Sequence, residues 1–204
     1  MKVVLIPCSG RKIEAGETTY KEPKLKLILG DEAYKDLLRA RNNLSSVLGL
    51  RPVPDISGGV RESGLQFMPA YRRYRGIMYQ EAEFVNLFPN FKGKIFIVSA
   101  LYGLLEANDL IRNYNLKMND KLGSGEKVWK WWIKKGLGHY LNIALSNSVA
   151  TEVHNLLTQD YRKAIGGWQE KNRYKIIEYN YPGLRTGSLY RRGEDLKRIL
   201  SHRT

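Results

Sequence analysis

Residues 94 to 118, KIFIVSALYGLLEANDLIRNYNLKM, hold the densest set of groups in this chain that could do chemistry. An apolar run, Ile95 to Val98, stops at Ser99, and Tyr102, Gly103, Asp109, Arg112 and Tyr114 follow closely. A buried strand that delivers hydroxyls, a carboxylate and a guanidinium at its carboxyl end has the layout of α/β active sites. Asp109 is suited to general acid or base work, with Ser99 and Tyr102 as hydrogen-bonding groups. Arg112 is suited to a phosphate contact, and Tyr102 and Tyr114 to stacking on an exposed base.

A second candidate is PCSGRK, Pro7 to Lys12, which closes the first apolar run. Ser9, Gly10 and Arg11 could cradle an anion through backbone N–H groups and a cation. Lys12 adds an electrostatic or nucleophilic group. The spacing is not that of a Walker A loop. Cys8 beside Arg11 and Lys12 would have its thiolate stabilised, although a lone cysteine at a strand end is also an ordinary small buried hydrophobe.

Basic and aromatic residues alternate in AYRRYRGIMYQ, where Arg72, Arg73 and Arg75 suit phosphates and Tyr79 suits a base. The competing reading is a solvated helix face with its tyrosines in the core. Lys127, Lys130, Lys134 and Lys135 surround three tryptophans, which reads as a helix anchored by the tryptophans with solvated lysines. Arg185, Arg191, Arg192, Lys197, Arg198 and Arg203 form a third basic cluster. His139, His154 and His202 lack the i, i+4 spacing of a metal site, so neither a metal nor another cofactor is expected.

Composition sets the partner class. The 204 residues carry 34 Lys and Arg against 20 Asp and Glu, a formal net charge of +14. Such an excess calls for an anionic partner, nucleic acid or a nucleotide, rather than a membrane surface. One cysteine excludes an internal disulfide, and no apolar run is long enough for a transmembrane helix. These features predict a cytoplasmic protein of a single domain over 1–204.

The elements that must position these groups can be read from periodicity. Residues 2–7, 94–99, 141–146 and 173–181 read as strands, with Ser146 at the end of the third. Helices are expected over 31–49 with Asp31 as N-cap, over 68–87 with Gly76 as a weak point, over 125–135, 147–157 and 190–201. The Pro- and Gly-rich stretch 51–64 reads as irregular. Strands separated by helices predict an α/β fold: a single compact domain with a mixed central sheet flanked by helices.

The segment SALYGLLEANDLIRNYNLKM resembles the YaaA family of bacterial peroxide-stress proteins, which carry a Ser-Gly-Leu-Tyr-Gly-Val-Leu stretch, then an Asp and a Tyr-x-Leu-x-Met. The matching positions are Ser99, Tyr102, Gly103, Leu105, Asp109, Tyr114, Leu116 and Met118. Collinear pieces include RYRGIMYQ (Gly76 and Tyr79), VWKWW, NIALSN (Ser146) and KIIEYNYPGLRTGSLYRR (Arg185 and Gly187). The family's Ser-Pro-Ala-Lys start is replaced by PCSGRK, with Lys12 as its counterpart. The region that supplies a helix-hairpin-helix element in the family is reduced to residues 31 to 50.

The resemblance implies a YaaA-like α/β topology, double-stranded DNA binding and protection against peroxide damage. On that reading Arg72, Arg73, Arg75, Arg112 and Arg185 contact phosphates in a basic cleft, with Tyr79, Tyr102 and Tyr114 on bases. A second reading is an enzyme acting on a nucleotide or flipped base, a glycosidase, lyase or transferase, using Lys12, Ser99, Tyr102, Asp109 and Ser146. A third is a basic protein in which Gly103 and Asp109 only shape the fold.

Overall fold

The computed structural model describes residues 1–16, 22–50, 67–168 and 174–202. The stretch 51–64 and Arg203 lie outside the described residues. Strand β1 (Lys2–Pro7) is the opening apolar run, with Val3 to Ile6 wholly buried. A strand covered on both faces needs no polar alternation, which is why it reads as continuous hydrophobicity. Helix α1 (Lys24–Leu29) has no side-chain cap and holds by burying Leu25 and Leu29 one turn apart. Gly30, at φ 79°, turns it into helix α2 (Asp31–Val47), so Gly30 occupies the N-cap and Asp31 falls in the first turn. Tyr34, Leu37 and Leu44 are buried as their spacing predicts.

The helix expected over 68–87 is instead four short pieces: strand β2 (Met68–Pro69), α3 (Ala70–Arg73), α4 (Ile77–Glu81) and α5 (Phe84–Leu87). Two backbone breaks account for this. Tyr74 and Gly76 are extended because this segment pairs with the loop after β1, Arg75 N–H donating to the Arg11 carbonyl at 2.9 Å. Glu83 is left-handed at φ 48°. Strands β3 (Lys94–Ser99) and β4 (Gly103–Glu106) follow, then β5 (Leu110–Ile111), which pairs antiparallel with β2.

Beyond them come α6 (Val128–Lys134), α7 (Leu137–Asn147), β6 (Glu152–Asn155), α8 (Gln159–Ala164), β7 (Lys175–Glu178) and α9 (Gly187–Ser201). Two expectations are corrected here. The run 141–146 is helical, within α7, whose buried Leu137, Tyr140, Leu141, Ala144 and Leu145 follow the helical period. A short apolar run cannot by itself distinguish a buried strand from a helix. Residues 147–157 are no helix; they contain β6, held because Glu152 to Asn155 pair with β7 on one side and Lys2 to Leu5 on the other.

The five-stranded mixed sheet has the order β4-β3-β1-β6-β7. β1 runs parallel to both β3 and β6, β6 parallel to β7, and β4 antiparallel to β3. Helices pack around the sheet, and the buried apolar side chains form one cluster. The four parallel strands therefore end at one edge of the sheet, where the loops after Pro7, Ser99, Asn155 and Glu178 emerge.

The turn from β3 to β4 is fixed by close packing. Gly103 sits at φ 68°, and a Cβ there would lie 2.7 Å from the Trp132 ring and 3.1 Å from Leu137. Trp132 is fully buried and donates its indole N–H to the Ala100 carbonyl at 2.7 Å. Gly103→Ala combines a strained left-handed backbone with overpacking, and is expected to cost roughly 2 to 4 kcal/mol in urea unfolding. Gly123→Ala, whose Cβ meets open space, should stay within about 0.5 kcal/mol of the parent. Equal stability of the two variants would refute this account of the turn.

Candidate functional site

The loop after β1 and the turn after β3 meet at the shared strand edge. Cys8 N–H donates to the Val98 carbonyl at 2.8 Å, so β1 and β3 stay paired to their last residues. The Ser99 hydroxyl accepts the Tyr102 N–H at 3.0 Å and shares a 2.8 Å hydrogen bond with the Tyr114 hydroxyl. Tyr114 in turn bonds the Tyr74 hydroxyl at 2.8 Å. Burial drives both phenols well above their ordinary pKa, so this chain of three hydroxyls is neutral.

Lys12 lies against that chain. Its ammonium stands 4.1 Å from the centre of the Tyr114 ring and 5.7 Å from that of Tyr74. The Nζ atom is buried and has no hydrogen-bond partner. Burial lowers its pKa, the Cys8 thiol opposes that shift, and the Arg73 guanidinium adds to it. Cys8 is itself buried, 3.2 Å from the Tyr161 hydroxyl of α8. The structure thus brings together Lys12, Ser99, Tyr114, Tyr74 and Cys8 from four separate segments.

Other predicted residues are structural or lie elsewhere. Arg73 is wholly buried and donates to the carbonyls of Ile13, Glu14, Ala15 and Ile111, so it clamps the loop after β1 rather than reaching a phosphate. Tyr79 is buried and donates its hydroxyl to the Pro7 carbonyl at 2.8 Å, which leaves no ring face for a base. Tyr102 is buried over the Arg41 guanidinium, and its hydroxyl accepts the Arg112 N–H at 3.1 Å. Ser146 is exposed near the end of α7, not at a strand end.

Asp109 is 3% exposed. One carboxylate oxygen accepts the Leu25 N–H at 3.1 Å, at the start of α1, and the other the Glu106 N–H at 2.9 Å. Burial, with the neighbouring Glu106 carboxylate second, raises its pKa to about 7. It joins the turn after β4 to α1, and neither Lys12 nor Ser99 is among its partners.

The cations divide by what surrounds them. In the C-terminal cluster Arg191 pairs with Glu194, Lys197 with Glu83 and Arg198 with Asp195, while buried Arg192 donates to the Ser188 and Tyr179 carbonyls. On α6, Lys134 pairs with Glu126, and Lys130 and Lys135 lie over Trp129 and Trp131. At the strand edge, Arg11, Lys12, Arg75 and Arg112 have no carboxylate partner among the described residues. Arg11 is exposed, and the backbone bond from Arg75 to Arg11 sets the two side by side. Arg112 Nε and Nη2 are buried without acceptors. Ser9 and Gly10 lie beside them: Ser9 Oγ accepts the Arg11 N–H at 3.1 Å, and Gly76 presses so close to Ser9 Oγ that a Cβ there would collide with it. Exposed Arg72 precedes Arg73, and exposed Arg185 follows β7 at φ 38°.

Sequence reasoning passed over three supports of this edge. Arg162 of α8 donates to the carbonyls of Leu157, Asn155 and Tyr179 and pairs with Glu178, tying the ends of β6 and β7 together. Arg41 of α2 donates to the Tyr102 and Leu104 carbonyls at 2.7 and 2.6 Å, fixing the β3–β4 turn from behind. Tyr161 reaches Cys8. No spacing rule marks these residues, since their partners lie on other elements or at the ends of strands. A cavity of about 620 Å³, lined by Lys2, Phe91, Lys92 and His202 among others, opens at the opposite edge, where β1 and β3 begin.

The sequence matches a known family over most of its length. The family described as peroxide stress protein YaaA matches residues 18–193, most of the chain, and the chain belongs to it. A UPF0246 protein of Rickettsia bellii is 30% identical over 129 residues, covering 61% of this chain and 51% of that protein. A UPF0246 protein of Albidiferax ferrireducens is 37% identical over 71 residues, covering 34% and 27%. The chain thus spans about half, or less, of the length of these relatives. Among the described residues no helix is long and apolar enough to cross a membrane.

Asp109 supplies a test by pH. Because its folded pKa of about 7 stands above its ordinary 3.8, the protein binds a proton more tightly folded than unfolded. Its contribution is fully favourable below about pH 4 and is lost as pH rises through 7. At 1.36 kcal/mol per pH unit, this side chain alone should remove roughly 2 to 3 kcal/mol between about pH 5 and 8. Urea unfolding of Asp109→Asn at the two pH values should show a loss smaller by that amount. An unchanged loss would mean the carboxyl is already ionised at pH 5.

Proposed function

We propose that this chain is a DNA-binding protein of the peroxide-stress response that acts in the cytosol. It binds at the strand-end edge, with Arg11, Arg75 and Arg112 on phosphates and Lys12 at the centre. The observation that carries this reading is a group of cations gathered at one edge without acids. Arg11, Lys12, Arg75 and Arg112 come together after β1, α3 and β5 with no carboxylate partner among the described residues, and Arg112 keeps two buried donors without acceptors. A phosphate backbone supplies what is missing there, positioning the protein without reading sequence.

Arg112 adds geometry to charge. Its two unpaired donors, Nε and Nη2, lie on one edge of the guanidinium. Two parallel N–H groups on one edge match two oxygens of a phosphate, a bidentate pairing that a lysine cannot make. The family's description as a peroxide stress protein fits a ligand that peroxide damages. A lone thiol such as Cys8 suits a reducing compartment. The reading in which Asp109 transfers protons gains no support, because both its oxygens are spent on backbone N–H groups.

Fluorescence anisotropy with a labelled DNA duplex tests this. Affinity should fall steeply between about 50 and 200 mM salt, and Arg75→Ala and Arg112→Ala should each reduce the slope of log K against log salt by about one. Arg73→Ala should instead lower the melting temperature, since it removes the clamp on residues 13 to 15. Absence of binding, or binding indifferent to salt, would remove the proposal.

A further inference from the structure

We infer that Lys12 is an amine nucleophile poised to condense with an aldehyde, such as the ring-opened deoxyribose of an abasic site in DNA. The DNA-borne source rests on the function proposed above; the amine chemistry does not. The observation is an unsatisfied group in a place where the fold satisfies its neighbours. Lys12 Nζ is buried without an acceptor, while Ser99, Tyr114 and Tyr74 around it are linked by hydrogen bonds and Arg73 is held by carbonyls. A buried polar group left unpaired calls for an explanation, and a charged one is costly.

The surroundings decide between charged and neutral amine. No carboxylate of the described residues pairs with Lys12. The groups that face it are the Tyr114 and Tyr74 rings, the Cys8 thiol and the Arg73 guanidinium. The rings favour the ammonium through cation–π attraction and the Cys8 side chain favours it electrostatically, whereas burial and a like charge favour the free amine, and burial is the largest influence. Desolvation beside another cation is a recognised way to keep a lysine nucleophilic near neutral pH. The residue as a whole is only half-buried.

The chemistry balances without a further reactant. The amine lone pair adds to the aldehyde carbon, and the carbonyl π pair moves to oxygen. The carbinolamine then loses water, both nitrogen hydrogens leaving with the oxygen, and a carbon–nitrogen double bond remains. Nothing is oxidised or reduced. The neutral hydroxyls of Tyr114, Tyr74 and Ser99 can pass the proton that the departing oxygen needs.

Borohydride trapping tests the inference. The protein is incubated near pH 7 with an abasic-site duplex, or with glycolaldehyde, then reduced and mapped by peptide mass spectrometry. Label should accumulate severalfold faster on Lys12 than on exposed Lys35 or Lys117, since burial favours the free amine there. Lys12→Arg should abolish it with melting temperature kept, and Lys12→Met should abolish it as a second check. Label from both probes supports a DNA-borne aldehyde, and label from glycolaldehyde alone supports the amine while removing the DNA source. Label no faster on Lys12 than on exposed lysines, with duplex binding intact, overturns this inference and leaves the proposed function standing.

Discussion

The Arg73 guanidinium holds the strand-end edge together. It sits where three peptide carbonyls of the loop after β1 converge with the carbonyl of Ile111. Peptide oxygens carry only partial charge, so several are needed to replace the water a guanidinium gives up on burial. Hydrogen bonds to a charged donor contribute about 1.5 to 3 kcal/mol each, and a planar fork can make several at once. With the loop clamped, residues 11 and 12 run alongside residues 74 and 75. That pairing places Lys12 against Tyr114 and Arg11 beside Arg75. A lysine in place of Arg73 would supply a point charge with no way to span four acceptors.

Net charge alone would not have located an interface. The excess of cations is spread over the chain, and much of it is locally answered: by acids along α9, by tryptophan faces along α6, and by backbone carbonyls at Arg41, Arg73, Arg162 and Arg192. Of what remains unanswered, Arg11, Lys12, Arg75 and Arg112 are brought together by the pairing of residues 11 and 12 with 74 and 75 and by the bond from Arg112 to Tyr102. Electrostatic attraction for a polyanion comes from that remainder, because a cation already paired gains little from a second anion. A basic cluster in sequence is therefore a weaker sign of an interface than a basic cluster without partners in space.

Much of the fold was legible because its elements bury themselves in ways a single segment records. β1 and β3 are continuous apolar runs, and α2 and α9 carry their buried residues at helical spacing. The errors arose where a partner decides. LNIALS looks the same whether a sheet or a helix face covers it, and EVHN is a strand because β1 and β7 flank it. The Arg and Tyr string from 71 to 79 announced its chemistry but not its direction: Arg72 faces solvent, whereas Arg73 and Tyr79 face carbonyls inside. Arg41 and Arg162 went unnoticed since their acceptors lie on other elements or at the ends of strands.

Asp109 and Lys12 show why a perturbed titration does not by itself mark a site. Both are displaced from their ordinary pKa by burial. Asp109 is nonetheless at rest: each oxygen has a backbone donor, and its work is to join a turn to a helix. Its raised pKa is the cost of a structural joint, which two backbone hydrogen bonds offset in part. Lys12 has the burial without the bonds. An apolar side chain of similar length could fill that space without bringing an unpaired amine there. The Tyr114 ring offsets part of the burial of the amine but supplies no hydrogen bond, and departures from local consistency of that kind are expected where function sets the residue. Hydrogen-bond satisfaction, more than displacement of a pKa, separates the two side chains: Asp109 is fully bonded and Lys12 is not.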